Sequence, residues 1–250
     1  MTSMRIESLP CLVTGASAGI GREVALELAR RRCELALLAR RRSQLEAVAG
    51  EVSRLGGAAV VVEADVSDVR AVEAAVGSAA DRLGGLRVAV VNAGVGVHGG
   101  AVDLPAADLR RVFEVNALGA IATIRAALPH LEAGAPSALV AVSSLSGLIP
   151  YRGGGAYGAT KAALIQYLRC LKLEVAPARV RIGWVCPGPV ATALIEDGIP
   201  PHKLPRLARL MVPVLRADRV ARAVVRAAET GGGQRVMPWT AAAFAAMARH

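Results

Sequence analysis

Aromatic side chains are nearly absent from this sequence. Trp, Tyr and Phe make up 3% of its 250 residues, so Ala, Val and Leu must build its core. Lysine is confined to Lys161, Lys172 and Lys203, and every other basic residue is Arg, a bias that a GC-rich genome would produce without any functional cause. The four cysteines, Cys11, Cys33, Cys170 and Cys186, include no CxxC pair. Disulfide frameworks and zinc sites need closer or more regular spacing, so buried, reduced thiols are expected. No apolar run approaches the roughly 18 residues of a membrane span. A strand-like run begins by Leu9, which leaves no signal-peptide layout, and a cytoplasmic location is the expectation. Repeats, linkers and low-complexity boundaries are missing too, so residues 1–250 read as one domain.

What is plentiful is hydrocarbon and positive charge. Hydrophobic residues make up 54%, charged residues 20%, and the formal net charge is +10. That much apolar surface offsets ordering entropy and excludes a disordered chain. A nucleic-acid binder would cluster its cations and interleave aromatics. Here the arginines are scattered on helix-like faces, with one run at Arg40, Arg41 and Arg42, and no nucleic-acid partner is expected.

Short apolar runs alternate with longer amphipathic stretches. Leu9–Thr14, Glu34–Leu38, Ala58–Val62, Val88–Val91, Ala138–Val142 and Val180–Val185 read as strands. Most are too continuously apolar to leave one face wet, which predicts a parallel sheet covered on both sides. Helices are expected near Gly19–Arg31, Ser43–Leu55, Asp68–Leu83, Asp108–Leu131 and Ala156–Ala176, giving a doubly wound α/β architecture. Prolines crowd residues 187–214, predicting an irregular substrate lid. A helix resumes near Asp218–Glu229, and Gln234–Met237 suits a last strand.

The first strand runs into Thr14-Gly15-Ala16-Ser17-Ala18-Gly19-Ile20-Gly21 and then a helix. Glycines let backbone approach a phosphate, and a helix N-terminus offers free N–H groups and a positive dipole end. Strand, loop and helix in this order point to a dinucleotide; a plain tight turn is the other reading. Further along, Tyr157 and Lys161 stand four residues apart on one helix face. A neighbouring ammonium and an oxidised nicotinamide would both favour phenolate, which makes Tyr157 a candidate acid or base near neutrality. Ser144 follows a strand end, where a parallel sheet presents its ligands.

With these pieces in order, the chain resembles the short-chain dehydrogenase/reductase family over nearly its whole length. The matching residues are Thr14–Gly21, Asp65-Val66, Asn92-Ala93-Gly94, Asn116, Ser144, Tyr157/Lys161 and Pro187–Thr192. The resemblance implies a Rossmann-like sheet and reversible carbonyl–alcohol oxidoreduction with a nicotinamide cofactor. Tyr157 would give a proton to the carbonyl oxygen, Ser144 would hydrogen-bond that oxygen, and Lys161 would bind the nicotinamide ribose and hold Tyr157 in its acidic regime. Asn116 would anchor a water linking Lys161 to solvent. Gly15, Ser17, Gly19, Ile20 and Gly21 would cradle the pyrophosphate. Asp65 and the Val66 backbone would take the adenine, with Asn92, Ala93 and Gly94 alongside. Pro187, Gly188, Val190 and Thr192 would clasp the nicotinamide. Val91 departs from the family's frequent second Asn at its position. The resemblance also favours a homodimer or homotetramer.

NADP(H) is expected to be preferred, with NAD(H) usable. The second strand ends at Ala39 rather than an acid, and Arg40 and Arg41 follow, with Arg40 the favoured phosphate contact and Arg42 assigned to the next helix. Ala18 stands where many NADP-preferring relatives carry a second basic residue, which argues for a modest preference. Leu145, Leu148, Ile149, Leu194, Leu207, Leu210 and Met211 suggest a hydrophobic aldehyde, ketone or alcohol substrate. His98 reads more readily as a solvent-facing loop residue than as a substrate contact. The Ala-rich tail 239–250, with Trp239, Phe244 and Met247 at helical spacing, would cover the pocket, pack in an oligomer or touch a membrane. A catalytically silent NADP(H)-binding regulator of the same fold remains the alternative.

Overall fold

The computed structural model describes residues 3–100, 102–176, 178–192 and 213–242. Seven strands, β1 (Pro10–Thr14), β2 (Glu34–Ala39), β3 (Ala58–Glu63), β4 (Val88–Val91), β5 (Ser137–Val142), β6 (Val180–Pro187) and β7 (Gly233–Met237), form one sheet in the order β3-β2-β1-β4-β5-β6-β7. Every neighbouring pair is parallel. Because side chains alternate across a strand, each run feeds two cores. Cys11 and Val13 of β1 join Leu35 and Leu37 of β2 on one face, while Leu12 joins Ala36 and Leu38 on the other.

Helices cover both faces. Helices α1 (Gly19–Ala29), α2 (Arg42–Arg54) and α7 (Ala217–Thr230) close the first core. Helices α3 (Val69–Leu83), α5 (Ala120–Ala133) and α6 (Gly155–Glu174) close the second, with α4 (Ala106–Phe113) leading into α5. Asp68 starts α3 by accepting the Ala71 N–H at 3.1 Å.

Most expected elements are present with ends moved by one to three residues, as fraying termini allow. The helix expected over Asp108–Leu131 is instead α4 and α5 joined by a π-helical turn, Glu114–Gly119. Such a turn re-aims side chains, and this one carries Asn116. The composite helix Ala106–Ala133 also departs from the expectation about membrane spans. It is the one helix among the described residues long and apolar enough to cross a membrane, yet 56% of its apolar window is buried, against α3, β4 and β5. Its hydrocarbon is used by the core.

All four cysteines are free, but Cys170 lies on the outward face of α6 and is exposed, unlike the other three. Of the irregular 187–214 segment, residues 193–212 lie outside the described residues, and with them Leu194, Leu207, Leu210 and Met211. What is described is tied down: Leu215 N–H donates to the Pro189 carbonyl at 2.7 Å, and Ala191 N–H to that of Leu215 at 2.9 Å. In the tail, Trp239 is 79% exposed, whereas Ala241 is buried with Leu145 against Leu148 and Ile149. The tail therefore begins by backing a loop that faces the site; Phe244 and Met247 lie outside the described residues.

Two glycines separate packing from propensity. A Cβ at Gly21 in α1 would stand 2.2 Å from the Gly15 carbonyl oxygen, whereas nothing lies within 4 Å of one at Gly50 in α2. Gly21→Ala is expected to lower the unfolding free energy by about 1–3 kcal/mol through overpacking. Gly50→Ala should raise it by roughly 0.5–1 kcal/mol by restoring helix propensity. Urea unfolding of both variants checks the contrast.

Candidate active site

The sheet reverses its winding between β1 and β4, and a crevice opens beyond the carboxyl ends of strands at such a reversal. The Thr14 hydroxyl forms its floor. Fully buried, it accepts the Asn92 and Ala93 N–H groups at 3.0 and 3.2 Å, and the Asn92 amide donates to the Thr14 carbonyl at 3.0 Å. Above lies a cavity of about 840 Å³. Among the expected site residues, only Gly21 and Asn116 do not line it.

Gly15 and Gly19 take φ of +66° and +55°, the left-handed region that other residues enter at a cost. A Cβ on Gly15 would also meet the Asn92 amide at 2.8 Å. Gly21 serves differently from the expectation: it lets α1 sit down on Gly15 rather than touching the cavity. The result is an α1 N-terminus aimed along an open backbone loop.

At the end of β2 the guanidinium groups divide their partners. Arg40 lies 3.4 Å from the Asp65 carboxylate, Arg41 lies 3.4 Å from the Ser17 hydroxyl of the glycine loop, and Arg42 pairs with Glu46 within α2 at 2.9 Å. Burial pushes Asp65 upward, but the Ser67 N–H and hydroxyl, helped by Arg40, outweigh it and hold the carboxyl below its usual range.

The groups expected to react gather near the carboxyl ends of β5 and β6. Ser144 is 8% exposed; its hydroxyl oxygen accepts the Ser146 N–H at 3.1 Å, which leaves its own hydrogen for another oxygen. Tyr157 and Lys161 project from the first two turns of α6. Lys161, 4% exposed, donates to the Val142 carbonyl at 3.2 Å and stands 5.8 Å from the Tyr157 ring centroid. Burial pushes the Tyr157 phenol up to about 12, with the Ser144 hydroxyl opposing. Burial likewise pushes Lys161 down to about 8, with Cys186 opposing. The expectation joins the neighbouring ammonium to an oxidised nicotinamide; of the two, the Lys161 ammonium alone does not offset the burial of Tyr157. Desolvation dominates both groups, and each favours its neutral form.

Asn116 is fully buried behind the cavity. Its amide oxygen accepts the Val95 N–H at 2.8 Å, and its NH₂ donates to the Val95 carbonyl at 2.9 Å and the Thr160 hydroxyl at 3.3 Å. It thus fixes the loop that leads out of Asn92-Ala93-Gly94. The sequence reading passed over Arg111 and Val115, and it placed His98 in solvent; all three line the cavity, and His98 is only partly exposed. Arg111 and Val115 stand four residues apart, one helical turn, just ahead of Asn116, a signal available in the sequence. Tyr151 lines the cavity as well and lies 6.2 Å from His98 between ring centroids.

The family model for short chain dehydrogenases matches residues 10–200. The chain belongs to that family. It is 36% identical over 184 residues to the probable oxidoreductase EphD of Mycobacterium tuberculosis, covering 73% of this chain and 31% of that protein, so it spans about a third of EphD's length. It is 32% identical over 207 residues to (-)-trans-carveol dehydrogenase of Rhodococcus erythropolis, covering 77% and 75% of the two chains. Among solved structures, a short chain dehydrogenase from Burkholderia cenocepacia in complex with NADP superposes with a TM-score of 0.82 at 28% identity, covering 96% of this chain and 100% of that one. A 3-ketoacyl-(acyl-carrier-protein) reductase from Brucella melitensis, complexed with NADH, gives 0.85 at 27% identity, covering 93% and 98%.

The lysine makes a pH prediction. Folded Lys161 loses its proton near pH 8 and the unfolded side chain near 10.5. Between those values the unfolded chain binds more protons, so this group's contribution to stability rises with pH. Lys161→Met lacks it. The stability of wild type minus that of the variant should climb by on the order of 2 kcal/mol from about pH 7.5 to about pH 10. Denaturant titrations across that range check it, and a flat difference would mean the ammonium is not desolvated.

Proposed function

We propose that this chain interconverts a carbonyl compound and its alcohol, prefers NADP(H) to NAD(H), and acts on a largely apolar small molecule. The observation that carries the cofactor preference is the end of β2: Ala39 where an acid would repel a 2′-phosphate, then Arg40 and Arg41, with Arg41 beside Ser17. The left-handed glycines and the α1 N-terminus fit a pyrophosphate. Gly15, Ser17, Gly19 and Ile20 would hold it, Arg40 and Arg41 the 2′-phosphate, and Asp65 and Val66 the adenine. Asn92, Ala93 and Gly94 would flank the adjoining ribose, Tyr157 and Lys161 the nicotinamide ribose, and Pro187, Gly188, Val190 and Thr192 the carboxamide.

When bound, the nicotinamide supplies or accepts the hydride. The chain's own groups do the rest. Ser144, its oxygen already engaged by the Ser146 N–H, donates to the substrate oxygen and stabilises charge growing there. Tyr157 gives that oxygen its proton. A phenol raised to about 12 stays protonated at neutral pH and so is loaded for reduction. In the oxidative direction it must first release the proton, which positive charge alongside favours. Lys161 supplies such a charge below about pH 8. A cytoplasmic location and assembly as a homodimer or homotetramer belong to the same proposal. Leu118 and Leu173, 56% and 89% exposed on the helical face of the second core, support the assembly.

Steady-state kinetics with both cofactors at low ionic strength test the preference. NADPH should exceed NADH in kcat/KM by about 10–100-fold. Arg41→Ala should reduce that ratio about tenfold, and Arg40→Ala should reduce it less because Asp65 shares that guanidinium. NADH equal to or better than NADPH would overturn the assignment.

A further inference from the structure

One buried hydroxyl outside the groups assigned to the reaction stands between two of them. Thr160 lies in α6 between Tyr157 and Lys161 and is fully buried. Its hydroxyl donates to the Tyr157 backbone carbonyl at 2.7 Å and accepts the Asn116 NH₂ at 3.3 Å. A threonine that bonds a carbonyl one turn back in its own helix is common and local. The second bond is not local. Asn116 comes from the π-helical turn, 44 residues away, and the same amide holds the N–H and the carbonyl of Val95. In a regular helix the Tyr157 carbonyl also receives the Lys161 N–H, four residues on. One backbone group thus joins the phenol, the ammonium and, through Thr160, the turn that carries Asn116.

A second set of contacts holds the same turns from the end of β5. The Ser143 hydroxyl donates to the Lys161 carbonyl at 3.1 Å, while its N–H donates to the Val185 carbonyl at 2.8 Å. A Cβ on Gly158 would lie 2.7 Å from the Ser146 carbonyl oxygen, and one on Gly147 would lie 2.7 Å from the Lys161 carbonyl carbon. The loop that carries Ser144 therefore rests on the backbone of α6. One anchor of this kind leaves a helix free to pivot about it. Two anchors a turn apart, Ser143 on Lys161 and Thr160 on Tyr157, remove that freedom.

We propose that Thr160 is a positioning residue, whose hydroxyl relays the hold of Asn116 to the Tyr157 carbonyl and so sets where the phenol stands relative to Ser144. This rests on the reading above in which Tyr157 is the acid, and it deepens that reading. A displacement well under 1 Å at a reacting group costs rate. Lys161 shares α6 with the phenol and travels with it, while His98 and Tyr151 face it from loops outside the helix. With the relay cut, what the phenol loses is Ser144, the hydroxyl that favours its ionised form.

Thr160→Val keeps the shape and removes the relay; Thr160→Ser keeps the relay and removes a methyl group. The two are compared with wild type in NADPH-linked reduction of cyclohexanone, acetophenone and benzaldehyde. In parallel, the ultraviolet signal of phenolate is titrated in protein saturated with NADP⁺, and Tyr157→Phe identifies the contribution of that residue. Thr160→Val should lower kcat about tenfold with KM within a few-fold of wild type. It should also raise the pH at which Tyr157 ionises by about one unit. Thr160→Ser should stay close to wild type in both. A valine variant that melts earlier, yet keeps wild-type kcat and phenol ionisation well below its melting temperature, overturns the proposal, because the hydroxyl then serves stability alone. A serine variant as impaired as the valine one overturns it as well. Should the valine variant not fold, Thr160→Ala against Thr160→Ser carries the same comparison. Wild-type turnover of none of the three carbonyls overturns the reaction reading instead, while the phenolate titration still decides the positioning role.

Discussion

Winding outward from β1, the chain first builds the sheet toward β3 and then returns to lay β4 on the other side. At that reversal the loops leaving β1 and β4 head for opposite faces, and the carboxyl ends between them are left open. An open strand end exposes backbone groups that need partners. The Thr14 hydroxyl and the Asn92 amide satisfy them, joining the two strands just below the crevice. From that join the glycine loop leaves in one direction and the Asn92-Ala93-Gly94 loop in the other, and Asn116 secures the second by both polar atoms of its amide. The site's shape thus follows from where a parallel sheet changes direction.

Its chemistry follows from burial. Desolvation lowers Lys161 and raises Tyr157, so the two do not form a resting ion pair, and Lys161 turns to a backbone carbonyl. The thiol of Cys186 is pushed up to about 12 by the same cause and stays protonated beside them. Below about pH 8 Lys161 keeps its charge among a phenol and a thiol that stay neutral, and low dielectric strengthens each interaction that charge makes.

The strands and helices were legible because period and composition agree: Val88–Val91 can hardly be anything but a buried strand, and the structure has it there. The motif residues were legible by their order along the chain, since only one arrangement of a doubly wound sheet brings Gly15, Ser144, Tyr157 and Lys161 to one edge. What the sequence hid depends on packing between distant segments. Gly21 looked like a loop glycine, and only the fold shows that it makes room for the Gly15 carbonyl. The π turn around Asn116 leaves no periodic trace over so few residues. His98 looked like a solvent-facing residue because its loop is rich in glycine, and its place beside two tyrosines depends on a backbone bond to a loop more than fifty residues away.

The central claim is that one phenol, held near Ser144 and Lys161, transfers the proton. Tyr157→Phe keeps the ring and removes the transferable hydrogen. Measured side by side, turnover of a good carbonyl substrate should fall by about 10² or more, while fluorescence titration shows the nicotinamide cofactor still bound with an affinity within a few-fold of wild type. A variant that retains most of its turnover would contradict Tyr157 as the acid.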